Sequence, residues 1–380
     1  MIVFSFTIVI LYGLLIGSFI FGFDRVKMFK LNKNRAKTKF SVVIPFRNEA
    51  ENLPSLLQSI TLLNYPKHLF EIILVDDASD DDSLLVIQKV LDTLTQNENK
   101  PIDMRIIENV RTTLAPKKDA ITTAIQQAKY EWIITTDADC TLPKFWLDSF
   151  DGFIQRTKPV CVVAPVTFSK GNLFLNRFQM LEFFSLQGAT IGGFGIDKPF
   201  LCNGANFAYT KTAFKKVDGF EGNTNLASGD DIFLLEKLKK TYPKAIKYLK
   251  SPMAIVTTKP QNSWKSLVSQ RIRWTSKTSK YNNWFGKLVG TSVFLMNLSI
   301  IVLPILLLFD KTVFTILGFA LITKLTLDFI LLYKSSAFFN NKLNILNFSL
   351  CFFVYPFFST FVAVVSFFKG YNWKGRTFNV

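Results

Sequence analysis

The sequence predicts an α/β protein held in a membrane. Its core is a parallel, doubly wound sheet, framed by apolar transmembrane helices at both ends of the chain. Three observations carry this. Short β-rich apolar runs alternate with helical stretches between residues 38 and 258. Residues 1–23 carry no charge, about enough to cross a bilayer. Residues 288–368 hold three long apolar segments, longer and more uniform than buried soluble helices.

Residues 1–23 read as a retained anchor. A cleaved signal peptide would need a positive n-region and an A-x-A site, and neither is present. FSVVIPF (40–46) is the first predicted strand, followed by a helix from Asn48 to Leu63. FEIILVDD (70–77) is the second, with a helix to about Leu94. MRIIEN (104–109) and EWIITTDAD (131–139) are the third and fourth, separated by a helix near 117–129. Strands this apolar are covered on both faces, and ligands of such sheets bind beyond the strands' carboxyl ends. The α/β domain is drawn at 38–258 and a basic amphipathic segment at 259–287. Two to three spans follow over 288–368, then a basic tail at 369–380.

Charge supports this partition. The chain has 45 Lys+Arg against 28 Asp+Glu, a net +17. Residues 24–39 contribute +6 and residues 259–287 contribute +7. Both stretches abut a predicted span, so the positive-inside rule accounts for them better than nucleic-acid binding does. A multi-pass membrane protein with a cytoplasmic α/β domain is expected. Three C-terminal spans would leave the basic tail outside, against the charge rule. Pro356 makes 343–368 the candidate for a hairpin or an interfacial helix. Lys324 and Asp328, four apart within a span, are expected to pair on an inward face, with snorkelling of Lys324 as the alternative.

The single histidine, His68, excludes a His-rich zinc site and any two-histidine mechanism. Cys140, Cys161, Cys202 and Cys351 show no CxxC spacing and are expected as reduced thiols. No GxGxxG and no GxxxxGK[ST] occurs. Carboxylates instead stand at two strand ends, Asp76-Asp77 and Asp137-Ala138-Asp139. Asp137 and Asp139, two apart, point to one side and can ligate a hard divalent cation; a solvated Asp-rich turn is the alternative. Ser228-Gly229-Asp230-Asp231 opens a helix and suits an N-cap as well as catalysis. Asn52, Asn203 and Asn206 read as turn or cap residues.

Seven motifs in order over residues 38–280 resemble the family 2 glycosyltransferases of the GT-A fold. VVIPFRNEAENL resembles the opening strand and nucleotide-contacting loop, which implies donor contacts at Pro45, Arg47 and Glu49. ILVDDASDD resembles the second strand, with Asp76 and Asp77 near the base. PKKDA resembles the K-x-x-A element and places Lys117 near the nucleotide; TDADC resembles the DxD motif. CNGANFAYTKTAF resembles the acceptor-side strand, bringing Asn203 and Gly204. SGDD resembles the E/D-D motif, with Asp231 at the general-base position and Asp230 where many members have Glu. QRIRW (270–274) matches Q-x-x-R-W of membrane-associated members and implies acceptor or diphosphate contacts for Gln270, Arg273 and Trp274. Trp373-Lys374-Gly375-Arg376 resembles the tail of some lipid-glycosylating members, or serves as a membrane-surface anchor.

The resemblance implies an inverting transfer from a nucleotide sugar, UDP-linked, to a lipid or glycan acceptor at the cytoplasmic membrane face. Mg²⁺ or Mn²⁺ on Asp139 and Asp137 would offset charge on the leaving diphosphate. Asp231 would take the acceptor proton. The expected partners are the donor, the acceptor and the bilayer, with no nucleic acid. A single N-terminal span favours a glycolipid or short-glycan product over a processive polysaccharide synthase. A non-catalytic membrane scaffold is the alternative of another class, opposed by the presence of Asp139 and Asp231. A cation-coupled transporter would rest on Lys324 and Asp328 alone.

Overall fold

The computed structural model describes residues 2–32, 35–97, 102–226, 228–276, 282–368, 371–373 and 376–378. Residues 27–169 and 202–259 form one compact unit, and residues 1–26, 170–201 and 260–380 form another.

In chain order, the apolar helix α1 (Ile2–Arg25) precedes the α/β elements. These are β1 (Phe40–Phe46), α2 (Leu53–Thr61), β2 (Phe70–Asp76), α3 (Ser83–Asn97), β3 (Asp103–Glu108), α4 (Pro116–Gln127), β4 (Trp132–Thr135), α5 (Trp146–Thr157), β5 (Cys161–Val163) and β6 (Val166–Phe168). Helix α6 (Phe174–Gly195) belongs to the other unit. The chain returns through β7 (Phe207–Thr210), α7 (Lys211–Lys216), α8 (Asp230–Thr241), β8 (Ile246–Tyr248) and β9 (Val256–Thr258). It ends in α9 (Trp264–Thr275), α10 (Trp284–Leu307), α11 (Val313–Phe338), α12 (Ile345–Ser366) and the short antiparallel pair β10 (Tyr371–Trp373) and β11 (Arg376–Phe378).

The main sheet has the order β3-β2-β1-β4-β7-β5-β8. Strands β3, β2, β1 and β4 are parallel, as the alternating pattern predicts. Their side chains explain this: every residue of β2 and β4 is buried, so helices must cover both faces. Strand β7 departs from the parallel expectation, because it pairs antiparallel with both β4 and β5. Its first residue, Phe207, lies opposite the last residue of β4, Thr135. The chain therefore enters β7 at the end where β4 leaves, and residues 203–206 stand at the carboxyl ends of the parallel strands. The helix expected from Asn48 is shorter and starts at Leu53, because residues 47–52 turn instead, with Asn48 at φ 52°.

The second unit is helical. Helices α1, α10, α11 and α12 are long and apolar enough to cross a membrane. Segment 343–368 contains one continuous helix rather than a hairpin, with Pro356 inside it; transmembrane helices tolerate such a proline when neighbours meet the freed carbonyl. Helix α6 packs on α1 backbone to backbone. A Cβ added at Gly195 would lie 1.8 Å from the Gly22 carbonyl oxygen, and one at Gly192 would lie 2.4 Å from that of Phe19. Small residues permit this approach, the usual device for close helix pairs in lipid. Val9, Phe19, Met296, Val313 and Ala320 fill the bundle core. Lys324 is buried, its ammonium bonded to Asp328, while the Tyr12 hydroxyl donates to the same carboxylate. The pair thus faces inward. In the tail motif, Lys374 and Gly375 lie outside the described residues.

Candidate functional site

The site assembles where β1, β2 and β4 end. Beyond β1, the Arg47 guanidinium donates to the Asp77 carbonyl at 2.7 Å and to that of Ala78. Its Nε is buried with no partner among the described residues, a donor that an anionic ligand can satisfy. The next residues fasten this loop to the one after β2. The amide of Asn48 donates to Ser79 Oγ at 3.1 Å and the amide of Glu49 to Ser83 Oγ at 2.8 Å. Pro45 lies half-buried within β1.

Asp76 closes β2 and accepts from the Ser79 amide at 3.0 Å, so it shapes the turn. Asp77 is buried; it accepts from Asn109 Nδ2 at 2.7 Å and lies 3.5 Å from Arg111. Asn109 also donates to the Pro116 carbonyl at 3.1 Å, which joins Asp77 to the start of α4. Asp119, in the first turn of α4, takes the amides of Thr112 and Thr113 at 3.2 and 3.0 Å together with both hydroxyls. It fixes the loop before the helix as a capping carboxylate does.

Lys117 is the centre of the arrangement. Its ammonium lies 2.6 Å from Asp137 and 3.4 Å from Asp230. Burial alone would lower its pKa, but the charges of Asp137, Asp230 and Asp231 outweigh it and hold the ammonium above the usual lysine range. Asp139 is the counterpart. Burial, then the charges of Asp137 and Glu49, push its carboxyl up to about 6. The neighbouring Lys118 turns the other way. It is buried, donates to the carbonyls of Asn223 and Leu226 at 2.6 and 2.9 Å, and lies 5.0 Å from the Phe233 ring of α8. It thereby holds the segment leading into Asp230.

Across the site, Gly229 at φ 88° turns the chain into α8, a conformation that favours glycine. Asp231 then stands in the first helical turn. Its Oδ2 accepts from the Gly204 amide at 3.1 Å, and its Oδ1 from the Ile232 amide at 2.8 Å. The Gly204 carbonyl accepts from Thr135 Oγ1 at 2.7 Å, tying this wall to the end of β4. Asn203 caps the turn through the Ala205 amide at 3.0 Å. Asn206 is fully engaged by Trp146, Pro165 and Ala254, which makes it structural. His68 lies on the surface, away from these contacts.

The structure therefore gathers Lys117, Asp137, Gly204, Asp230 and Asp231 through direct contacts, with Asp77 joined through Asn109. The sequence reading missed Asn109, Arg111, Lys118 and Asp119. An acid two residues after Lys117 and a Thr pair before the helix were the available signals for Asp119. Gln270, Arg273 and Trp274 belong to α9 in the helical unit. There Arg271, passed over in the motif, makes two bonds to Glu182 at 2.8 and 2.7 Å. Its guanidinium lies 4.3 Å from the Trp274 ring centroid and donates to Gln270.

Among the described residues no three His, Cys, Asp or Glu side chains form a ready metal cluster. Asp137 and Asp139 nonetheless fit a hard divalent cation. They offer oxygen donors at one strand end, and Asp139, its pKa raised first by burial and then by the charges of Asp137 and Glu49, is a carboxylate whose charge a cation would offset.

A family model described as glycosyl transferase family 2 matches residues 41–218. The poly(ribitol-phosphate) beta-N-acetylglucosaminyltransferase TarS of Staphylococcus aureus (strain Mu50 / ATCC 700699) is 29% identical over 118 residues, 31% of this chain and 19% of that protein. The poly-beta-1,6-N-acetyl-D-glucosamine synthase of Staphylococcus aureus (strain COL) is 26% identical over 274 residues, 68% of this chain and 60% of that protein. The alignments thus span 19% and 60% of these relatives' lengths. A solved mannosyltransferase, PcManGT from Pyrobaculum calidifontis in complex with GDP-Man and Mn²⁺, covers 95% of this chain and 98% of its own at a TM-score of 0.56. At 16% identity that likeness is one of fold.

Proposed function

Because residues 41–218 of the chain belong to glycosyl transferase family 2, we propose that the protein moves a sugar from a UDP-linked donor to a lipid or glycan acceptor. The observation that carries this is the convergence of Lys117, Asp137 and Asp230 within 2.6 and 3.4 Å at the carboxyl ends of the strands. The loop residues Arg47 and Glu49 and the carboxylates Asp76 and Asp77 line the nucleotide end. Asp137 and Asp139 would hold Mg²⁺ or Mn²⁺, which when bound supplies positive charge against the leaving diphosphate.

Asp231 takes the proton from the acceptor hydroxyl as that oxygen bonds to the anomeric carbon. The bond from that carbon to the diphosphate breaks, and UDP leaves with the electron pair. A single displacement inverts the anomeric centre. Gly204 orients the base through its amide, and Lys117 keeps Asp230 and Asp137 apart in charge. For Gln270, Arg273 and Trp274, acceptor or diphosphate contacts rest on the Q-x-x-R-W resemblance alone. The α/β unit lies on the cytoplasmic face, a reading supported by the basic flanks 24–39 and 259–287.

A second reading, processive synthesis, draws support from the relative named as a poly-beta-1,6-N-acetyl-D-glucosamine synthase. One experiment separates these. The full chain in membrane vesicles is offered several UDP-sugars with membrane lipids, and product masses are read. The leading reading expects acceptor plus one or a few sugar residues, of inverted configuration. A long ladder of masses favours the synthase, and no sugar transfer from any UDP-linked donor overturns the proposed donor chemistry.

A further inference from the structure

The helical unit, taken by itself, holds a cavity of about 140 Å³, close to the size of an apolar cavity of about 150 Å³ that stays dry and takes up a small hydrocarbon. Phe178, Leu186, Phe200, Val293, Leu331 and Phe348 give it an apolar wall. Six polar side chains also reach the lining: Tyr12, Glu182, Ser185, Lys324, Asp328 and Tyr355. The first five are hydrogen-bonded inside the bundle, and the Tyr355 ring centroid lies 5.7 Å from the Lys324 ammonium. Lys324 and Tyr12 both bond Asp328, Glu182 takes two bonds from Arg271, and Ser185 donates to the Glu182 carbonyl at 2.7 Å.

That pattern selects the occupant by elimination. Water enters a cavity only where polar partners await it, and apolar cavities stay dry. A sugar would bury several hydroxyls against groups already engaged with one another, an unfavourable exchange. A hydrocarbon chain needs neither. It is also the medium around α1, α10, α11 and α12, the helices apolar enough to cross a membrane. We propose that this cavity binds the hydrocarbon chain of a membrane lipid, with the Tyr12–Asp328–Lys324 cluster as a closed polar part of its wall. Nothing in the proposal depends on the transfer reaction.

The test uses the full chain purified from membranes in mild detergent. Native mass spectrometry should find about one lipid per chain, and its mass distinguishes an acyl from a prenyl tail. Ala189→Phe on α6 and Val293→Phe on α10 each fill part of the cavity. Either variant, with unchanged helicity and melting temperature, should lower lipid occupancy about tenfold, the effect of unburying about two methylene groups. In parallel, wild-type protein is irradiated with diazirine-bearing phosphatidylethanolamine or diazirine-bearing geranyl phosphate. Crosslinks should map to Phe348 or Cys351, in the cavity wall. No retained lipid, full retention by a folded filled variant, or crosslinks confined to outward residues such as Phe353 and Phe357 would each overturn the proposal.

Discussion

The amide of Gly204 donates to Asp231 across 3.1 Å, and the same glycine leaves room for the two charges beside it. A Cβ at this position would come within 3.0 Å of Asp230 Oδ2 and 3.4 Å of Lys117 Nζ. Both neighbours are tips of side chains, so they can yield, but only by shifting the charges around the base. Gly204→Ala should therefore fold and bind donor, while kcat falls about tenfold to 10²-fold, as displacements under 1 Å do in preorganised sites. Steady-state kinetics with a thermal melt checks this. An unchanged kcat would remove Gly204 from the positioning of Asp231.

Asp231→Asn keeps the shape and loses the proton acceptor. Transfer should drop by about 10²–10⁴, the usual worth of a positioned base, with donor affinity unchanged by calorimetry. Transfer at the wild-type rate would reduce Asp231 to a helix-start residue.

Asp139 gives a pH dependence whose sign can be worked out. Its carboxyl is pushed up to about 6 by burial and by Asp137 and Glu49, against about 3.9 in an unfolded chain. Its favourable contribution is thus present below about pH 4 and lost as pH rises through about 6. In metal-free protein, Asp139→Asn should raise stability at pH 7 by about 1–2 kcal/mol after solvent screening, and by little at pH 4. Proton and cation also compete for this carboxylate. Mn²⁺ affinity should fall below about pH 6, by up to about tenfold per pH unit, and the step should vanish in the variant. Titration by electron paramagnetic resonance from pH 5 to 8 decides; a flat wild-type profile would count against Asp139 as a ligand.

The first four strands were legible because each apolar run ends at charge or a turn: Phe46 before Arg47-Asn48, Asp76 before Ala78 at φ 58°, β3 at Glu108 itself, Thr135 before Asp137. Helix α6 was not. It carries Arg177 and Glu182 and is missing from the helices that pass as spans, so periodicity leaves it inside the α/β domain. Its place with α1 rests on Gly192 and Gly195 meeting Gly22 and Phe19, which no local pattern announces. The antiparallel entry of β7 follows from that excursion and was equally hidden. At the site, the spacing K-x-x-A drew attention to Lys117, whereas Lys118 and Asp119 act on backbone groups of loops that only the fold brings near.

Lys118 supplies a prediction of its own. Its ammonium meets two carbonyls of the segment before α8, so Lys118→Met leaves the carbonyls of Asn223 and Leu226 without it. Losing a buried charged donor costs about 1–3 kcal/mol, here felt locally. Amide exchange over residues 219–226 should quicken and kcat should fall, while donor affinity stays near wild type. Faster exchange without a kinetic effect would show that this segment does not govern the Asp230–Asp231 turn.

The Lys324–Asp328 pair tests how the bundle tolerates charge. Lys324 is 2% exposed, and its ammonium lies 5.5 Å from the Tyr12 ring centroid and 5.7 Å from those of Phe352 and Tyr355. Asp328 receives both this ammonium and the Tyr12 hydroxyl, so it links α1 to α11. Breaking a buried pair strands a charge, at about 3–5 kcal/mol, whereas replacing both partners by apolar groups is often neutral. Lys324→Met and Asp328→Leu should each lower the melting temperature in detergent, and the double variant should recover most of the loss. Asp328→Asn should be milder than Asp328→Leu, because an amide still accepts from Tyr12. Strict additivity of the single effects, with a cysteine at 324 reactive towards a membrane-impermeant thiol reagent, would mean that Lys324 reaches the surface and that the pair does not hold α1 against α11.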